Sequence, residues 1–156
     1  MTAFLNGRIR DMAAYVPGEQ PKDMARLIKL NTNESPYPPS PATVEALTRE
    51  VIASARLYNS TDAMALRRDI AAADGVSPEN IIVANGSDEI LSKLFLGYSD
   101  LGARFPDITY GFYRVWSKLY GVSFREIPLM EDYSINPDDY RGHSGMVVFA
   151  NPNAPT

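Results

Sequence analysis

Apolar positions along this chain fall into short runs separated by turn residues, and from residue 80 onward strand-like and helix-like periods alternate. Ile81, Ile82, Val83 and Ala84 form a β-branched run that predicts a strand over about 80–84. Asn85-Gly86 breaks this run. Ser87-Asp88-Glu89 then opens an amphipathic helix over 87–98, with Ile90, Leu91, Leu94, Phe95 and Tyr98 at three- and four-residue spacing. A weaker apolar segment at 101–105 reads as a short strand, and a helix over 110–120 is stopped by Gly121. Residues 122–127 alternate like a strand, 133–145 read as a polar loop, and the apolar run 146–150 predicts a last strand. Alternating strands and helices predict an α/β fold with a mainly parallel sheet.

The first 80 residues read differently. Residues 1–40 are irregular and proline-rich, an arm rather than a packed unit, with a short strand expected at 27–30. Ser40-Pro41 is an N-cap followed by proline in the first turn, and the helix it starts puts Val44, Leu47, Val51 and Ala55 on one face. A second helix is expected over 61–74, ending at Gly75. The domain reading is therefore an arm over 1–40 and a sheet-bearing domain over 41–156.

Composition narrows the function classes. At 156 residues the chain is long enough for one domain with a core, and its 45% hydrophobic content is ordinary for a globular protein. A net charge of −4 implies no broad basic surface for nucleic acid. The absence of cysteine removes disulfides and thiolate metal sites and fits a reducing, cytoplasmic compartment. No apolar stretch approaches a membrane span, and no signal-peptide core is present at the N-terminus. The single histidine, His143, reads as a solvated loop residue, so neither a metal site nor a serine–histidine hydrolase is supported.

The chemistry resides in three loops. A strand that turns into a helix at Gly86 presents unpaired N–H groups and the positive end of the helix dipole, a seat for a phosphate, although Ser and Asp cap many helices for purely structural reasons. Pro106-Asp107-Ile108-Thr109-Tyr110-Gly111-Phe112-Tyr113 is again a strand end followed by a turn and a helix, and Asn151-Pro152-Asn153-Ala154-Pro155-Thr156 follows the last apolar run. Ligands of open α/β sheets bind beyond the carboxyl ends of the strands, which makes these loops candidates to converge on one site.

Four segments in this order resemble the histidinol-phosphate aminotransferases, which are fold-type I enzymes dependent on pyridoxal phosphate. They are Leu30-Asn31-Thr32-Asn33-Glu34-Ser35-Pro36-Tyr37, Ala84-Asn85-Gly86-Ser87-Asp88-Glu89, the Pro106–Tyr113 segment and the Asn151–Thr156 segment. The resemblance implies the N-terminal arm and part of the large domain of such an enzyme, with pyridoxal 5'-phosphate as cofactor, transferring an amino group between histidinol phosphate or a related amine and 2-oxoglutarate. Gly86, Ser87 and Asp88 would hold the cofactor phosphate. Tyr110 would stack on its ring, a contact worth about 0.5–1.5 kcal/mol beyond area burial. Tyr58 would reach the phosphate of a neighbouring subunit, which implies a homodimer, and Tyr15 and Asn33 would lie near the substrate. A threonine-phosphate decarboxylase-like enzyme and a non-catalytic remnant are the alternatives.

The sequence departs from the family pattern in two places. Where the family has N-P-N-N-P-T-G, with its second paired asparagine on the cofactor's phenolic oxygen, this chain has Ala154, leaving Asn153 as the substitute; and the 99–105 connection is about two residues short. Transamination also needs a lysine bonded to the cofactor. Lys22, Lys29, Lys93 and Lys118 all lack the serine-rich setting of that lysine, so no catalytic residue is assigned and the 156 residues alone are expected to be inactive. Taken alone, these residues would leave the 80–84 strand without its neighbours and the helices over 61–74 and 87–98 without their sheet, so the expectation is a part of a longer polypeptide or a chain completed by another.

Overall fold

The computed structural model describes residues 6–13, 28–30 and 34–156. Tyr15, Asn33, Lys22 and the first residue of the expected 27–30 strand lie outside them, and residues 28–30 form no strand. The chain groups into two compact units, one of residues 13–78 and one of residues 79–156 together with 1–12.

In the first unit the helix expected from Pro41 is split into α1 (Pro41–Ala46) and α2 (Arg49–Ser54). The break has a local cause. Ser40 caps the first helix by accepting from the Thr43 N–H at 3.2 Å, and Thr48 caps a second by accepting from the Val51 N–H at 3.3 Å. The next helix, α3 (Met64–Asp74), starts three residues later than expected, after Asp62 accepts from the Met64 N–H at 3.1 Å. Its end is secured by Arg67, whose Nε and Nη2 donate to the Pro78 carbonyl at 3.1 and 2.7 Å.

The second unit carries a three-stranded parallel sheet. Its strands are β1 (Ala103–Pro106), β2 (Phe124–Ile127) and β3 (Met146–Val147), in the order β2-β1-β3. The weak segment at 101–105 is thus the central strand. It was faint in the sequence because it is only four residues long and carries the charged Arg104, yet Ala103 and Phe105 are buried and Arg104 donates to the Asp139 carbonyl at 3.1 Å. Register pairs Phe105 with Glu126 and Arg104 with Val147, and β3 is shorter than the expected 146–150 run.

Against the sheet lie α4 (Gly86–Gly97) and α5 (Phe112–Tyr120). Phe95, Ala103, Phe105, Tyr113 and Trp116 make the core, with Phe105 stacked on Phe124 at 5.4 Å and tilted against Tyr113 at 5.6 Å between ring centroids. Burial raises the Tyr113 phenol above its ordinary pKa. The expected 80–84 strand is absent from the described residues: 81–84 join no ladder, and residues 78–80 form a 3₁₀ turn. Strand geometry persists only with a hydrogen-bonded neighbour, and here none is present. Leu96, on the helix that follows, and Tyr98, its C-cap, are exposed while Phe95 is fully buried. His143 is not simply solvated, because its Nε2 is buried and without a hydrogen-bond partner.

Close backbone approach fixes the start of β1. Gly102 has φ of +82°, and a Cβ there would sit 2.8 Å from the Ser123 carbonyl oxygen. Gly102→Ala is expected to cost about 1–3 kcal/mol through strain and displacement of β2. Denaturant unfolding of the variant against wild type checks this.

Candidate cofactor site

Gly86 opens α4 at φ +82°, a conformation that a residue with a side chain rarely takes, and a Cβ there would meet nothing within 4 Å. The N-cap, Asn85, makes no side-chain cap, so no side chain closes off the first-turn amides. Instead the Asn85 N–H donates to Glu89 Oε2 at 2.8 Å, and Lys93 donates to the other Glu89 oxygen at 2.6 Å. Lys93, with the Asn85 N–H next in effect, holds the Glu89 carboxyl below its ordinary pKa. The acid in the first turn is thereby matched with a cation one turn on, and Lys93 is engaged as a surface ion pair.

The loop leaving β1 meets this helix start. Tyr110 donates from its hydroxyl to Asp88 Oδ1 at 2.7 Å, and its ring stacks on Phe112 at 5.6 Å and meets Tyr113 edge-on at 5.8 Å. Tyr110 is therefore partly a core aromatic and partly a polar link to the residue beside Ser87. Ser87 itself is exposed.

The loop leaving β3 joins the same cluster. Asn153 accepts at Oδ1 from the Thr109 hydroxyl at 2.8 Å, and its Nδ2 donates to the Ile108 carbonyl at 2.9 Å and to Thr156 Oγ1 at 2.7 Å. Ala154 is exposed. The three loops singled out in the sequence are thus tied together, 84–88 to Tyr110 through Asp88, and 107–110 to 151–156 through Asn153.

Sequence reasoning missed the residues that brace this cluster. Asp107 Oδ1 accepts from the N–H groups of Ile108 at 2.9 Å and Leu129 at 3.1 Å, and Arg114 bonds both the Asp107 carbonyl and the Glu126 carboxylate. Thr109 is buried. The signal available was weak: Asp at a strand end and Thr in a turn are ordinary loop chemistry. Tyr58 belongs to the other unit, where its side chain is fully exposed. Among the described residues no cluster of His, Cys, Asp and Glu could hold a metal ion, and no helix is long and apolar enough to cross a membrane. A shallow depression beside Tyr98, Leu101 and Met146 lies at the amino ends of β1 and β3, away from these loops.

The family model for aminotransferase class I and II matches residues 25–156. The histidinol-phosphate aminotransferase of Acetobacter pasteurianus is 48% identical to this chain over 158 residues, covering all of the chain and 44% of that protein. Histidinol-phosphate aminotransferase 2 of Thiobacillus denitrificans is 51% identical over 147 residues, covering 93% of the chain and 41% of that protein. Among solved structures, a protein of Erwinia carotovora atroseptica assigned as a histidinol-phosphate aminotransferase superposes with a TM-score of 0.69 at 26% identity, over 81% of this chain and 38% of that one. The chain spans under half the length of these relatives and corresponds to their N-terminal part. On the family match and these likenesses together, the chain belongs to the class I and II aminotransferases.

Proposed function

We propose that this chain forms the cofactor cradle of a cytoplasmic, homodimeric histidinol-phosphate aminotransferase that uses pyridoxal 5'-phosphate. The observation that carries the reading is the hydrogen bond from the Tyr110 hydroxyl to Asp88, which brings the ring expected to stack on the cofactor to the helix start expected to hold its phosphate. The relatives named histidinol-phosphate aminotransferase support the activity.

The residues present fit the group. The uncapped first turn of α4 and the open space at Gly86 leave room and donors for a phosphate, which the helix dipole favours. Both nearby carboxylates are already engaged, Asp88 with Tyr110 and Glu89 with Lys93, which lessens their repulsion of an anion. When bound, pyridoxal phosphate supplies an electron sink for bond cleavage at the substrate's α-carbon. The chain's own part is placement. Ser87 and Asp88 offer their amides, and Ser87 its hydroxyl, to the phosphate; Gly86, whose own N–H donates to the Ala84 carbonyl at 3.0 Å, turns the chain that brings them there, and Tyr110, held by Asp88, fixes the plane of the ring. The fully exposed Tyr58 is the residue offered to the neighbouring subunit's phosphate, and Tyr15 and Asn33 are assigned to the substrate side. Residues 1–40 are assigned to the arm and the start of the small domain, and 41–156 to part of the large domain. With Lys93 paired to Glu89, the covalent lysine is assigned to none of the lysines in this stretch, and these residues by themselves are inactive.

The full-length protein, given histidinol phosphate and 2-oxoglutarate, is expected to form glutamate; release of carbon dioxide from a phosphorylated amino acid instead identifies the decarboxylase. Tyr110→Phe keeps the ring and loses the link to Asp88, and should weaken pyridoxal phosphate binding by about 1 kcal/mol, roughly fivefold in Kd, with Tyr110→Ala losing more. Titration of the cofactor by absorbance measures both. The depressed Glu89 carboxyl gives a pH signature. Its interaction with Lys93 and the Asn85 N–H contributes fully above the unfolded-state carboxyl pKa and is lost as pH falls through the lower folded value. Carbon-detected NMR of the Glu89 carboxyl, titrated in wild type and in Lys93→Met, should show its pKa rise in the variant.

A further inference from the structure

We propose that Asn153 is a positioning residue: it clamps the loop after β3 to the loop after β1 and does not itself contact the cofactor. An asparagine side chain has two N–H donors. Both are taken by protein acceptors, the Ile108 carbonyl at 2.9 Å and Thr156 Oγ1 at 2.7 Å. Its oxygen accepts from Thr109 at 2.8 Å, and Thr109 is buried at 7% exposure, so the hydroxyl finds its hydrogen-bond acceptor in Asn153. An amide that donated to a phenolic oxygen of a ligand would have to abandon one of these bonds and leave a backbone carbonyl or a hydroxyl unmet.

The partners are also chosen for placement. Ile108 and Thr109 directly precede Tyr110, so the clamp sets the chain entering the tyrosine at the same time as it sets the chain on either side of Ala154. Two loops separated by more than forty residues in sequence thereby move as one. Asn153 thus fills a different place from the absent asparagine at Ala154. The clamp is a property of the apoprotein; only its value for cofactor placement rests on the proposed function.

A double-mutant cycle on the full-length protein tests this, with Asn153→Ala, Thr109→Val and the pair, each measured without cofactor by thermal unfolding and then by titration with pyridoxal phosphate. Both single variants are expected to lower the apoprotein Tm by a few degrees, and the pair to lose no more than Asn153→Ala alone, because the second change removes a bond already gone. Thr109→Ser, which retains the hydroxyl, should stay near wild type and serves if Asn153→Ala fails to fold. Additive losses in the pair would overturn the clamp. So would an Asn153→Ala variant with unchanged apoprotein Tm and a Kd for the cofactor raised more than about tenfold while Thr109→Val is silent, the pattern of direct contact. A full-length protein that binds no pyridoxal phosphate would sink the proposed function and leave the apoprotein cycle to decide the clamp.

Discussion

The aromatic packing of Phe105 between Tyr113 and Phe124 is the constraint from which the rest of the second unit follows. Phe105 lies on the central strand, Phe124 on the neighbouring strand and Tyr113 on the helix that crosses them, so one fully buried side chain fixes three elements. Burying a ring of this size and giving it offset neighbours contributes both area and ring-ring attraction. The loop from Asp107 to Gly111 spans only the gap between two elements so fixed. Tyr110 has little choice about where it emerges, and the polar contacts of that loop refine a position the core has already imposed.

Polar groups at the carboxyl end of the sheet are arranged on a different principle. Acids that stand at the start of α4 would be expected to repel an anion, yet each is given a donor within the protein: a phenol for Asp88, and an ammonium and a backbone amide for Glu89. The helix start keeps its dipole and loses part of the opposing charge. On the proposed function, a turn rich in carboxylates would in this way remain compatible with a phosphate.

Much of this was legible in the sequence because it depends on local chemistry. The Asn85-Gly86-Ser87 break, the helix stops at Gly75 and Gly121, and the alternation over 122–127 express propensities that neighbours do not override. The failures were non-local. Residues 81–84 have strand composition and no strand, since a strand is made by its partner. The central strand was faint because a single Arg104 interrupts it, and only the distant Asp139 carbonyl explains how that charge is accommodated. The helix begun at Ser40 was read through Thr48, a capping residue whose role shows only once the chain stops there. The tie between Thr109 and Asn153 could not be read at all: each residue is an ordinary loop residue, and their pairing is decided by the order of β1 and β3 in the sheet.

The double use of one Asp107 oxygen has a wider meaning. By accepting from Ile108 and from Leu129 together, it fastens the tyrosine-bearing turn to the segment that leaves the outer strand, while Arg114 stitches the same turn to Glu126. A substitution that displaces the backbone at Leu129 is therefore mechanically connected to the Tyr110 ring, which the adjacent strand's loop carries three residues beyond Asp107. The tolerance of that stretch to change is set less by its own exposure than by the carboxylate it must continue to meet.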